Sequence, residues 1–312
     1  MINPRYINRI IVLTFLFALL ASGALWWQVL DSDSQLRNQA IAQAAQRAEQ
    51  LDKTVADKIE LQVRYVDFAV LELIDAYLQG GKKVFLAHAH QLESRFPPQS
   101  ILQMSVIGAD GYITISTLEV KEQVYLGDRE HFRIHRETGE SRLFISAPLF
   151  GRVSKQWTIQ FSRPIHENGK FVGVVVVSTS PAYLQSTLSS APLGPQDSVA
   201  IFRQSGEYMA RNARNDEVMG KSVGPNRAFV GPDAAPSGAF RAAANFDGVR
   251  RLFHWQRLNE APLIVVLGLS EQTVLEPVEG YISRRYRQAG VATAILWLFA
   301  VGLLVLLGRV RR

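Results

Sequence analysis

The sequence predicts an α+β protein: a long amphipathic helix followed by two stacked antiparallel-sheet modules, with a membrane-spanning helix at each end. Three observations carry this. Two uncharged apolar runs, residues 10–30 and 290–308, are each long enough to cross about 30 Å of hydrocarbon. Residues 34–79 contain neither Gly nor Pro and repeat an apolar residue every three or four positions. Beyond residue 100 the period shortens towards two, and turn dipeptides punctuate short apolar runs.

The first run reads IIVLTFLFALLASGALWWQVL and the second GVATAILWLFAVGLLVLLG. Arg5 and Arg9 precede the first, and Arg309, Arg311 and Arg312 follow the second. This bias puts residues 1–9 and 309–312 in the cytoplasm and residues 31–289 outside it, a two-pass topology. Trp26 and Trp27 then fall at the outer headgroup level. A cleaved signal peptide competes for the first run, because Ala21-Ser22-Gly23 resembles a cleavage site. Against it, the run continues to Leu30, past the roughly 7–15 residues of a signal core. Once the five flanking arginines are set aside, the +6 formal charge leaves the middle nearly neutral. There is no basic stripe of the kind nucleic acid requires. The 312 residues include no cysteine, which excludes disulfides, thiolate metal sites and a cysteine nucleophile.

The long helix is expected over residues 31–80. Its stripe is Leu36, Ile41, Ala44, Ala48, Leu51, Val55, Ile59, Val63, Val66, Val70 and Leu73. A helix of that length reaches roughly 65–70 Å, more than one small domain buries, so its lower half is expected to pair with a second copy. Gly80-Gly81 ends it, and a further helical stretch runs from Lys82 to Arg95, before Pro97-Pro98.

A first module follows over residues 81–190. Its strands are expected at 101–106, 112–116, 142–148, 156–165 and 171–178, with turns at Asp110-Gly111 and Asn168-Gly169 and a helix over Asp128–Arg136. A weaker copy spans 191–270. Its strands are 198–202, 208–210, 238–244, 250–257 and 263–269, with turns at Ser205-Gly206 and Asp247-Gly248. Each copy closes on an apolar strand and then a serine N-cap, Ser180 or Ser270. Residues 271–289 continue as a connecting helix into the second membrane run.

Several short motifs keep their order and spacing in the first module. They are Gly127-Asp128-Arg129-Glu130-His131-Phe132, Ser146-Ala147-Pro148, Gly151-Arg152, Trp157, Phe161-Ser162-Arg163-Pro164 and Gly169 to Val176. With the layout over residues 34–287, they resemble the double-Cache, PAS-like sensor domains of bacterial transmembrane receptors, in the subgroup found ahead of diguanylate cyclases. The resemblance implies a homodimeric receptor in the bacterial inner membrane, with residues 31–289 in the periplasm. Such a receptor senses a small ligand, without a cofactor, and signals through the second membrane helix to an output after Arg312. That output would be a diguanylate cyclase acting through cyclic-di-GMP, or else a histidine kinase or chemoreceptor domain.

Many relatives of this kind bind amino acids through an Arg-x-Trp-Tyr element, a Tyr-x-Asp and a later Asp. By resemblance these fall on Arg129, His131 and Phe132, on Leu149 and Gly151, and on Ser178. The arginine is kept and the acids that would hold an ammonium are gone. A carboxylate gripped by a guanidinium fork is the expected ligand. The candidate ligand-binding residues are therefore Asp128, Arg129, His131, Phe132, Ser146, Trp157 and Ser178.

Structural alternatives stand beside several of these. Asp128 could be a helix N-cap and Arg129 half of an ion pair; Phe132, Trp157 and Phe161 could be core. His131 and His135 share a helix face but lack the third and fourth ligands of a zinc site, and His88 and His90, two apart, face different ways. Enzyme signals are lacking: there is no HExxH or Walker A sequence, and the G-x-S-x-G string Gly220–Gly224 does not sit between a strand and a helix as a nucleophile elbow would. Two other classes compete. A polysaccharide co-polymerase resembles this layout, but with a Pro-rich second membrane helix. A membrane-tethered binding protein would show a helix break near Pro277 or Gly280.

Overall fold

The computed structural model describes residues 4–310 apart from Asn245; the side chain of Arg5 and residues Arg311 and Arg312, three of the flanking charges, lie outside the described residues. The chain divides into two compact units, one built from residues up to Gln46 together with those from Ser270 onward, the other from Arg47–Leu269.

In the first unit, helix α1 (Pro4–Glu93) meets helix α4 (Glu271–Val310) in antiparallel fashion. Polar side chains pair across the apolar seam. Trp297 Nε1 donates to Ser22 Oγ, and Trp26 Nε1 to Thr293 Oγ1, each at 3.1 Å. Trp26 thus turns towards α4, while Trp27 alone of the pair stays exposed. Ala18, Ala289 and Ala300 are buried in this unit, whereas Phe17, Leu20, Leu298 and Phe299 face outwards. Both helices are long and apolar enough to cross a membrane. Helix α4 passes through Pro277 and Gly280 without a break.

The second unit is α+β with two antiparallel sheets, as the two periodicities predict. The stripe Val55, Ile59, Val63, Val66, Val70 and Leu73 of α1 is buried in it. At Gly80 and Gly81 the backbone leaves helical geometry; Gly81, at φ 55° and ψ −144°, takes a conformation essentially restricted to glycine. The helix then resumes and buries Phe85, Ala89 and Leu92.

The first sheet contains β1 (Ile101–Gly108), β2 (Ile113–Ser116), β3 (Phe144–Ile145), β4 (Leu149–Phe150), β5 (Trp157–Glu167) and β6 (Lys170–Thr179). Their order is β2-β1-β6-β5-β3, with β4 also on β5. Helices α2 (Glu130–Thr138) and α3 (Pro181–Ser189) belong to the same half. The second sheet contains β7 (Ser198–Arg203), β8 (Tyr208–Arg211), β9 (Ser237–Ala243), β10 (Arg250–Arg257) and β11 (Leu263–Ser270), in the order β8-β7-β11-β10-β9. Numbered within its own half, each sheet runs second, first, last, next-to-last, third. The sequence repeat is therefore a repeat of topology. In both halves the central strand, β6 or β11, is the most continuously apolar, because both its faces are covered.

Two local expectations need correction. The strand expected over 142–148 is split into β3 and β4. Ile145 pairs with Phe161 and Leu149 with Thr158, so four steps on one strand face three on the other. Pro148, which has no N–H, lies in this bulge. Ser146 bridges it: its N–H donates to the Gln160 carbonyl, and its Oγ accepts from the Gln160 N–H. The helix expected from Asp128 begins two residues later, and its N-cap position is Arg129 in extended conformation, without a side-chain cap.

One pairing ties α1 to the second sheet. Asp52 on α1 is fully buried, and its Oδ2 lies 2.7 Å from Nδ1 of His254 on β10. Burial pushes the Asp52 carboxyl up to about 7, against the opposing pull of His254. The folded chain thus holds a proton that the unfolded chain releases near pH 4. Its stabilising contribution is complete below that pH and is lost as pH rises through about 7. Melting of the full chain in detergent micelles should show this fall between pH 4 and 7, and Asp52→Asn should flatten it. An unchanged profile in the variant would remove Asp52 as its source.

Candidate functional site

Strands alternate sides, so polar residues two apart in an otherwise apolar strand share one face. In the first half, Gln103 and Ser105 on β1, Gln160 and Ser162 on β5, and Ser178 on β6 do this. Gln103 pairs with Ser178, which pairs with Gln160; Ser105 and Ser162 flank Val176 in the next row. The face is wired internally. Ser178 Oγ donates to Gln160 Oε1 at 2.6 Å, Gln160 Nε2 donates to Thr158 Oγ1 at 2.6 Å, and Gln103 Nε2 donates to Ser116 Oγ at 3.0 Å.

Helix α2 is anchored beside this face. Ser162 Oγ donates to the His131 carbonyl at 3.1 Å and lies 3.0 Å from His135 Nε2. Since the hydroxyl proton goes to the carbonyl, the imidazole donates from Nε2. Burial lowers the His135 pKa, keeping the ring neutral.

Between the start of α2, the polar face and the segment 151–154 lies a cavity of about 20 Å³. Gln103, Ser105, Arg129, His131, Gln160 and Ser178 supply its polar lining, and Arg152 reaches its edge. Two polar atoms here are buried without a partner: Arg129 Nε and His131 Nδ1. Burial, helped by the charge of Arg129, pushes His131 down to about 3, so the ring is neutral at physiological pH. Burial likewise lowers the pKa of Arg129, and Arg152 adds repulsion. No carboxylate lines the cavity. It offers one guanidinium, whose Nε has no hydrogen-bond partner and whose neighbour Asp128 is engaged with Arg152, among neutral donors and acceptors.

The predicted residues separate into groups. Arg129, His131 and Ser178 line the cavity, as do Leu149 and Gly151, where the Tyr-x-Asp element falls. Asp128 is exposed and neither caps α2 nor reaches the cavity. It forms a two-pronged pair with Arg152, both bonds 2.7 Å, which lowers its pKa. Phe132 is core, packed with Ile107, Val174 and Val176. Ser146 is engaged in the bulge. Trp157 is partly exposed beside Phe150, and a Cβ on Gly220 of the second half would stand 3.0 Å from its ring. Phe161 is buried. Sequence reasoning missed Gln103, Ser105 and Gln160, although polar residues at alternate positions of apolar strands were a usable signal. It also missed Glu130, next to Arg129, which pairs with Arg203 of β7 at 2.7 Å.

Residues 32–278 match a family model described as the Cache domain. No curated protein matches. Among solved structures, the chain is similar to the extracellular domain of rpHK1S-Z16, described as a histidine kinase, at 22% identity and a TM-score of 0.67, covering 75% of this chain and 97% of that one. It is also similar to the ligand-binding domain of the Pseudomonas fluorescens chemoreceptor CtaA, in complex with L-isoleucine, at 13% identity and a TM-score of 0.58, covering 78% and 98%. A third is that of the Pseudomonas aeruginosa amino acid chemoreceptor PctB, in complex with L-Arg, at 13% identity and 0.57, covering 74% and 96%.

If Arg129 is held for binding rather than for the fold, replacing it should cost little. Arg129→Met, an unbranched apolar substitute, should leave unfolding free energy within about 1 kcal/mol of wild type. Ser162→Ala, which leaves buried His135 Nε2 without a partner, should cost about 1–3 kcal/mol. Chemical denaturation measures both, and a loss above about 2 kcal/mol in Arg129→Met would make that residue structural.

Proposed function

The chain belongs to the Cache domain family of sensory, non-catalytic modules, and from that premise we propose a homodimeric bacterial inner-membrane receptor that detects a small carboxylate in the periplasm. In this reading two stacked PAS-like modules stand between the membrane helices, with the first module distal to the membrane. The observation that carries the ligand class is the cavity of Arg129: a guanidinium without a facing carboxylate, in a lining that offers no acid for an ammonium. The relatives crystallised with L-isoleucine and L-Arg bind amino acids; this lining favours an anion that lacks the amino group.

A cavity of about 20 Å³ has room for roughly one water, so a larger ligand requires its walls to part. Binding then biases two arrangements of the site by its differential affinity, a coupling typically of ~1–3 kcal/mol. A connected path leads away from it. Glu130 holds Arg203, Arg203 pairs with Leu263 in the neighbouring strand, and β11 passes directly into α4 at Ser270. Unbroken helix through Pro277 and Gly280 supports a signalling rod over a tethered binding protein, and a second membrane run without proline disfavours a co-polymerase. The motifs between Gly127 and Val176 favour a diguanylate cyclase output. Likeness of fold to histidine kinase and chemoreceptor domains keeps those two as the second reading.

For the homodimer, the supporting feature lies higher on α1 than the sequence led us to expect. Leu61, Tyr65 and Phe68, spaced by four and three, are exposed along one line, with Leu71 and Leu78 beside them. Such a seam suits the same helix of a second copy.

Two measurements check this reading. Mono-, di- and tricarboxylates screened by thermal shift on the full chain in micelles should include a stabiliser whose amide analogue is inert and whose effect disappears in Arg129→Met. Equal stabilisation by acid and amide would exclude charge recognition. Phe68→Arg should shift the chain from dimer towards monomer in sedimentation experiments, and a wild-type chain already monomeric at micromolar concentration would rule the seam out.

A further inference from the structure

The second half of the Arg47–Leu269 unit holds a cavity that the reading above does not use. It measures about 70 Å³ and lies over one face of the second sheet. Space remains because Ser198, Ala200 and Ala242, which line it, are small. The neighbouring part of the face is filled by Phe202, Trp255 and Ile264. Aromatic rings form the walls: Phe240 stacks on Phe253 at 4.9 Å and on Phe229 at 6.2 Å.

The charge beside this apolar space is unbalanced. Arg211 and Arg251 are only 5% and 2% exposed, yet both pair with the single carboxylate of Asp247. Arg251 takes both Asp247 oxygens at 2.8 Å. Arg211 is left with one longer bond at 3.3 Å, a second to the Ala213 carbonyl at 3.3 Å, and the face of Phe246 at 4.2 Å. The Arg227 side chain also lines the cavity and makes no hydrogen bond or ion pair among the described residues; the Tyr208 hydroxyl, on the same lining, has no hydrogen-bond partner among them either. A buried guanidinium without full pairing is costly, and here Arg211 is buried and shares its one carboxylate with Arg251, while half-buried Arg227 lies on the same lining.

We propose that the second module carries its own binding site, for a short-chain monocarboxylate held by Arg211, Arg227 and the Tyr208 hydroxyl, with its alkyl tail among Ala200, Phe240 and Phe253. The size fits a short tail. A cavity of about 150 Å³ takes benzene, so a space of half that volume takes a chain of about three or four carbons. This site is separate from Arg129 and does not depend on the ligand proposed there.

The test uses the full chain in micelles, with propionate, butyrate and isobutyrate as probes and butyramide as the uncharged control. Thermal-shift titration should show stabilisation by at least one acid, none by butyramide, and no change in midpoint concentration in Arg129→Met. Arg227→Gln should weaken the effect at least tenfold. Ala242→Leu, which fills the cavity, should abolish it while the ligand-free melting temperature stays within a few degrees of wild type. The proposal is overturned if no acid stabilises the chain, if butyramide acts equally, or if the effect is lost in Arg129→Met and kept in Arg227→Gln. That last pattern would return the probes to the first module.

Discussion

An arginine that the fold partly buries and leaves without a carboxylate is the constraint from which the account of the first module follows. Three other arginines of the first module and its neighbours are paired internally: Arg152 with Asp128, Arg163 with Asp67, Arg203 with Glu130. Arg129, at the N-cap of α2, faces serines, glutamines and a neutral histidine instead. A buried guanidinium with neutral surroundings is tolerated when something outside the chain supplies the negative charge. Burial and the Arg129 charge hold His131 neutral, so the site carries a single unpaired cation.

The rest of the molecule places this arginine where a small movement has somewhere to go. Glu130 is the next residue, so any shift in the first turn of α2 acts on its pair with Arg203, and β7 lies hydrogen-bonded to the strand that leads into α4. Contacts of this kind join two halves that share one topology but differ in what their sheets present. The first offers a polar row around Ser178, and the second offers aromatic rings beside crowded arginines. The two halves thus share an architecture but not a lining.

Most of the architecture was legible because it rests on periodicity and turn chemistry. Alternation and the dipeptides Asp110-Gly111 and Asn168-Gly169 give the hairpins, and the structure has Gly111, Asn168 and Gly169 at positive φ as such turns demand. Apolar runs without alternation mark the central strands. What was not legible depends on partners distant in sequence. Asp52 and His254 are 202 residues apart, and neither is unusual alone. Asp128 looked like a helix cap, but a local signal of that kind yields to a long-range partner, here the two-pronged pair with Arg152. Phe132 and Trp157 were open between pocket wall and core; the structure puts Phe132 in the core and leaves Trp157 partly exposed beside Gly220. Arg129 was legible because a family motif keeps it; its missing counter-charge was legible because Gly151 and Ser178 stand where acids would.

Contact between a ligand carboxylate and the Arg129 side chain can be read from the arginine Nε–H resonances of the ¹⁵N-labelled full chain. With a stabilising carboxylate added, the account predicts a downfield move of the one resonance that is missing from Arg129→Met. A carboxylate that binds while that resonance stays in place would contradict it.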